Sequence, residues 1–290
     1  MSNVLRLTSH LLSRTARAWY THDAPRMGAA LAYYTTFSMA PILIIAIAVA
    51  GEFFGEQAAR NQVAHQLTNL LGLAGATVAE QMLSSVYRGG SSVAATLLGI
   101  FTLLLGATSV FAELQSALNL IWEAPPHPER PLFALIRARM LSFAMVLVVG
   151  FLLLVSLIIS TALAGFQDRL DALKSTAWVA QVINVGVSLV VTTGLFGLIY
   201  KILPDVKIAW HEVWVGSFVT AALFTLGKLL IGFYLGNSAL ASTYGAAGSF
   251  VVMLVWIYYS AQLILFGAEF TRVYAHWLGE RAKQVASSPV

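Results

Sequence analysis

Three charged side chains stand inside long apolar runs of the chain, Glu113, Lys228 and Glu269, and Arg26 stands just ahead of the first run. A charge at the centre of a membrane-spanning helix costs about 2.5–3.5 kcal/mol on insertion scales, so such residues mark an ion site, a substrate path or a buried ion pair. Glu113 ends a small-polar stripe of Thr102, Gly106, Ser109, Glu113 and Ser116, spaced alternately by four and three residues on one helix face. Such stripes let helix backbones approach and hydrogen-bond across the gap, so packing accounts for Thr102 to Ser109. Glu113 lies about 30 Å along the helix from Val93, near one membrane interface rather than the midplane. Lys228 shares a face with Ser217, Ala221, Thr225 and Gly232. Its small, polar neighbours point it into the bundle, facing a polar cavity open to the outer side; the alternative is snorkelling to the interface. Glu269 shares a face with Tyr244, Val251, Tyr258 and Gln262, and Arg272 follows one turn later. Glu113, Glu269 and Arg26 should occupy one depth. They would form a structural ion-pair lock or, as the minor reading, a proton or ion site.

The elements that must hold these residues are membrane helices. Only 10 % of the 290 residues are charged and 58 % are hydrophobic, with a mean hydropathy of +0.77. Soluble domains carry about 25 % charge. About 20 apolar residues span a bilayer core. Six runs qualify: Gly28–Gly51, Ser92–Leu120, Met140–Gly165, Trp178–Tyr200, Val213–Tyr234 and Gly248–Phe270. The fold class expected is all-α, a polytopic membrane domain over 26–275. An interfacial helix precedes it over 1–25, and a cytoplasmic tail follows over 276–290. Met1–Tyr20 lacks the apolar run of a cleavable signal, so the first span is expected to act as an uncleaved anchor.

Lys and Arg divide unevenly between the loops. Arg6, Arg14, Arg17, Arg26, Arg130, Arg137, Arg139, Lys201, Lys207, Arg272, Arg281 and Lys283 fall on one side. Arg60, Arg88, Arg169 and Lys174 fall on the other. The basic side faces the cytoplasm, so both termini are expected inside. This asymmetry also accounts for the pI near 9.4 without nucleic acid.

The connecting segments add detail. Leu5, Leu12, Ala16 and Trp19 oppose Arg6, His10, Arg14 and Arg17, a basic amphipathic helix suited to an anionic inner leaflet. It serves as a topogenic anchor or a headgroup sensor. Pro25 is expected to stop it, and Pro41, by freeing a backbone carbonyl in the first span, to give a kink or a close helix contact. Val63, Leu67, Leu70, Ala74 and Val78 suggest one or two short outer-loop helices, either capping a cavity or passive. Residues 124–131 hold half of the chain's eight prolines, a stiff cytoplasmic connector. The third span, uncharged, is expected to face lipid.

Enzyme chemistry finds no footing in the sequence. Cysteine is absent, which removes thiolate ligands and nucleophiles. None of the six histidines lies mid-span or at metal-ligand spacing, and His211-Glu212 is not followed by the second His of a zincin motif. No nucleophile elbow, Walker A loop or two-metal carboxylate pair is present. No metal and no cofactor is expected.

Several short pieces together resemble the YihY/BrkB family of bacterial inner-membrane proteins. They are Arg26-Met27-Gly28-Ala29-Ala30-Leu31-Ala32-Tyr33-Tyr34 with Ser38 and Pro41, then Leu118-Asn119-Leu120-Ile121-Trp122. Tyr200-Lys201-Ile202-Leu203-Pro204, Tyr244-Gly245 with Gly248, and Gly267-Ala268-Glu269 follow in order. The resemblance implies six membrane helices, cytoplasmic termini and links to envelope integrity or resistance to killing. It implies no agreed activity, and the ribonuclease label once attached to some members finds no support in these residues. The expected role is transporter-like handling of a lipid, amphiphile or ion. The path would be lined by the second, fifth and sixth spans, with Lys228 on the outer side and Glu113 with Glu269 as the inner gate. A membrane scaffold for envelope proteins is the alternative. Membrane lipids are the expected partners, with envelope proteins second and no nucleic acid.

Overall fold

The computed structural model describes residues 2–55, 57, 61, 109–125, 177–237 and 248–287. These residues are helical apart from turns and short connections, and none is in a strand. The helices are α1 (Ser2–Thr21), α2 (Ala24–Phe54), α3 (109–121), α4 (Ala177–Ile202), α5 (Trp210–Asn237) and α6 (Gly248–Ser287). The expected third span, the outer-loop helices, most of the second span and of the proline-rich connector, and Tyr244 lie outside the described residues.

α1 and α2 meet in a two-residue turn at His22 and Asp23. The His22 N–H closes α1 on the Ala18 carbonyl at 2.9 Å, and the Arg26 N–H opens α2 on the Asp23 carbonyl at 3.0 Å. Asp23 takes φ 59°, a left-handed conformation that Asp tolerates better than most residues. Pro25 therefore does not stop α1. It sits in the first turn of α2, where a missing N–H breaks no helical bond. α2 continues as one helix through Pro41 and ends at Gly55, whose φ of 82° suits glycine.

The buried stripe of α1 differs from the one expected. Leu11 and Thr15 are buried, whereas Leu12 and Ala16 are exposed. One residue is about 100° around a helix, so the docked face is rotated by that amount. The cause is a partner: α1 packs on α6 and α2, and the docking surface chooses the stripe.

α6 runs on to Ser287, past the expected span end at Phe270, so most of the expected tail is helical. Within it Phe250–Glu280 is, among the described residues, the one helix long and apolar enough to cross a membrane. Only 39 % of its most apolar window is buried in the protein, so much of that surface needs apolar surroundings. A shorter apolar stretch is Ser188–Ile202.

α6 packs against α1, α2 and α5, and α5 packs against α4. Leu31, Leu118, Ile121, Tyr200, Leu203, Val213 and Leu265 fill the core between them. Lipid tails are as apolar as leucine, so close approach through small residues, not water release, holds such helices together. A Cβ on Gly267 would stand 1.9 Å from Thr220 Oγ1, and one on Gly216 would stand 1.8 Å from Thr271 Oγ1. These two glycines seat α5 and α6 against each other. The Tyr200 hydroxyl adds a bond to the Ile264 carbonyl at 2.7 Å and lies 3.1 Å from Thr220 Oγ1.

Candidate functional site

The turn between α1 and α2 carries His22 to the side of α6. There His22 Nδ1 lies 2.5 Å from Oε1 of Glu269, a carboxylate with 0 % side-chain exposure. Arg272, three residues further along α6, faces the same carboxylate with Nη1 3.7 Å from Oε2. The same Nη1 lies 3.2 Å from His22 Nε2. Arg272 Nη2 bonds Glu123, the second residue past the end of α3, at a left-handed turn of φ 49°. His22 Nε2 and Glu123 stand 3.8 Å apart. Three separate segments, the α1–α2 turn, the end of α3 and α6, thus close on one polar cluster.

This cluster is the wall between two clefts. The larger, about 590 Å³, is lined by His22, Arg26, Glu113, Ser116, Asn119 and Glu123, with apolar Met27, Ala30 and Leu120 among the rest. The smaller, about 440 Å³, runs between α1 and α6 past Arg14, Arg17, Arg272 and His276. His22 and Glu123 line both. The larger cleft thus brings charged and apolar side chains to one surface.

The expected trio is rearranged. Glu113 and Arg26 do share the larger cleft, but Arg26 is not the partner of Glu269. Its side chain is 77 % exposed and pairs with Asp23 at 2.7 Å, within its own helix turn. Glu269 is faced instead by the His22 imidazole and by its own helix neighbour, Arg272. Gln262 lies two turns before Glu269 and fills the notch at Gly28, its amide 3.4 Å from the carbonyls of Ala24 and Pro25. It therefore ties α6 to the start of α2. Tyr258 is half-buried on α6. Lys228 belongs to α5, but the setting of its side chain, and so the outward cavity expected there, lies outside the described residues.

His22 and Glu123 were not among the residues singled out. Both flank helix ends in the sequence, where a charged residue reads as an ordinary solvated terminus. A second contact lies between two of the motif pieces. Asn119 donates to Asp205 Oδ2 at 2.7 Å and accepts the Asp205 N–H at 2.8 Å. Two motif pieces 86 residues apart, around Asn119 and around Pro204, thereby lock the α4–α5 connection to α3. Lys201 completes that connection by bonding the Ile208 carbonyl and lying 5.4 Å from the Trp210 ring.

Comparison with known proteins finds relatives along most of the chain. The family model described as Virulence factor BrkB matches residues 15–289. A UPF0761 membrane protein of Alkalilimnicola ehrlichii is 27 % identical over 261 residues, covering 89 % of this chain and 57 % of the relative. Relatives under the same name in Pseudoalteromonas atlantica and Chromobacterium violaceum are each 27 % identical across 88 % of this chain, covering 82 % and 59 % of their own lengths. The chain thus spans less than two thirds of two of these three relatives. No solved structure matches it.

Proposed function

The chain belongs to the virulence factor BrkB family of membrane proteins, and from that premise we propose that it moves an amphiphile or an ion across the bacterial cytoplasmic membrane. The carrying observation is the cleft of about 590 Å³ whose wall leads, through His22, to the fully buried carboxylate of Glu269. That carboxylate sits on the described helix best suited to cross a bilayer. Ionisable groups inside membrane helices are costly, and ion and substrate pathways are among the roles that retain them. The cleft binds the cargo headgroup or the ion, and the His22–Glu269–Arg272 cluster gates its inner end. The protein works by binding and release of its cargo, which leaves unchanged. Its place in the cell is envelope maintenance.

The topology in this reading is six spans with both termini in the cytoplasm, supported by the twelve-to-four division of Lys and Arg between the loops. Reporter fusions after Ala58 and Ala172 should read outside, and fusions after Pro128 and Lys283 inside. An outside signal at residue 128 would overturn this topology. Transport itself is tested in proteoliposomes, with fluorescent phospholipid translocation and monovalent-ion flux measured side by side. Protein-dependent movement of one of them, lost in Glu269→Gln protein that still folds and inserts, is the expected result. No movement of either, at normal protein density, would sink the proposal.

A further inference from the structure

The polar cluster is one positive charge short. Glu269 and Glu123 bring two carboxylates, and Arg272 bonds Glu123 and faces Glu269, so a single guanidinium serves both. With His22 neutral, the sum is minus one around a side chain with 0 % exposure. One added proton makes the cluster neutral. Arginine does not exchange its proton in proteins. Glu123 is 65 % exposed and has water as an alternative partner. The pair left to take the proton is His22 and Glu269, whose Nδ1 and Oε1 stand 2.5 Å apart. Glu269 Oε2 is buried and has no hydrogen-bond partner among the described residues. His22 is 18 % exposed and lines both clefts, so it connects water to the buried acid.

The surrounding charges leave this assignment intact. Arg26 is held by Asp23, and Arg14 faces Glu280 at 3.8 Å. Arg17 and His276 line the smaller cleft, and Glu113 the larger. α4 presents the Tyr200 hydroxyl, which is bonded to the Ile264 carbonyl. The part of α5 seated on α6 presents Gly216 and Thr220.

We propose that the His22–Glu269 pair is a proton-binding site, loaded from the clefts through His22. In the unloaded form the Nδ1–H donates to Glu269 Oε1 and Nε2 accepts from Arg272. The incoming proton takes the Nε2 lone pair, so the Arg272 N–H gives up that acceptor and stays with Glu269 Oε2, leaving an imidazolium against a carboxylate. Transfer of the Nδ1 proton to Oε1 then breaks the N–H bond, forms the O–H bond and leaves a neutral imidazole beside a carboxylic acid. Resting on the transport reading, this makes the proton the ion that is coupled to movement. Proton binding, however, is measurable in the absence of any cargo.

The experiment is infrared difference spectroscopy on the full chain in lipid nanodiscs, acid minus alkaline. The expected spectrum carries a carboxyl carbonyl band lost in Glu269→Gln, or an imidazolium ring band lost in His22→Gln, and the band shifts in heavy water. Glu123→Gln, at a position that is 65 % exposed, should move the midpoint of the carboxyl band to lower pH, because a like charge near Glu269 is gone. If Glu269→Gln fails to fold, His22→Gln and Glu123→Gln carry the test. Difference spectra of the variants that superimpose on the parent, with an unmoved midpoint, would overturn the proposal. A titrating pair with no flux in proteoliposomes would leave the site standing and remove transport. Flux with no titrating pair would do the reverse.

Discussion

Gly267→Ala will destabilise the folded protein by about 1–3 kcal/mol, the usual cost of forcing an extra carbon into a closed contact. The new Cβ would lie 1.9 Å from Thr220 Oγ1 and 2.6 Å from the Tyr200 hydroxyl. Neither neighbour can swing away cheaply. Thr220 Oγ1 donates to the Gly216 carbonyl at 2.8 Å, and the Tyr200 hydroxyl is tied to Ile264 inside a side chain with 0 % exposure. The helices must therefore part, and the loss falls on the α5–α6 seat. Gly279→Ala is the internal control, since nothing lies within 4 Å of its Cβ position. There alanine's better helix propensity should leave stability unchanged or raise it by up to about 1 kcal/mol. Thr220→Ala should recover part of the Gly267→Ala loss when the two are combined, a coupling of about 0.5 kcal/mol or more between contacting residues. Unfolding in detergent, followed by circular dichroism, measures all four proteins. Equal effects at positions 267 and 279 would show that the seat does not depend on this contact.

The contrast between these glycines shows what could be read ahead of the structure. Both stand on the same helix, and composition treats them alike. Gly267 was visible only as part of a family-like motif, with no reason for its size, because the reason is a threonine 47 residues earlier on another helix. The extents of α4, α5 and the start of α6 were legible within a few residues, since apolar length alone defines them. The end of α6 was not. Beyond Phe270 the helix carries Arg272, His276 and Glu280, so apolar counting stops where helix formation does not. The face of α1 was misread for a related reason. Charge opposite apolar residues pointed to a stripe through Leu12 and Ala16, while docking on α6 buries Leu11 and Thr15 and brings His22, on the continuation of that stripe, against Glu269.

The site was legible in the same partial way. A carboxylate at Glu269 with a cation at i+3 follows from helix geometry alone. Its contact with His22 depends on a turn of two residues whose direction no periodicity reveals. Shared depth suggested Arg26, which is four residues from His22 and projects instead to Asp23 and solvent. Depth ranks candidates, but the turn decides among them.

Arg272→Met should therefore be the most damaging single change in the cluster, at about 3–5 kcal/mol, because it leaves a buried carboxylate short of its cation. Glu123 adds little to that loss, being exposed enough to be solvated when its partner goes. The sign of a second substitution separates this account from a packing defect. Removing the stranded charge with Glu269→Gln in the Arg272→Met background should restore part of the stability, although Glu269→Gln alone lowers it by unpairing His22 and Arg272. A packing defect would instead deepen or stay level when the second residue changes. Arg26→Gln and Glu280→Gln should each stay within about 0.5 kcal/mol of the parent. Their ion pairs are exposed, and pairs of that kind contribute about 0–1 kcal/mol. Thermal unfolding in detergent at neutral pH measures the set. A loss at Arg26 as large as that at Arg272 would return Arg26 to the partnership with Glu269 that shared depth suggested, and would break the link from His22 to the buried acid on which the gate depends.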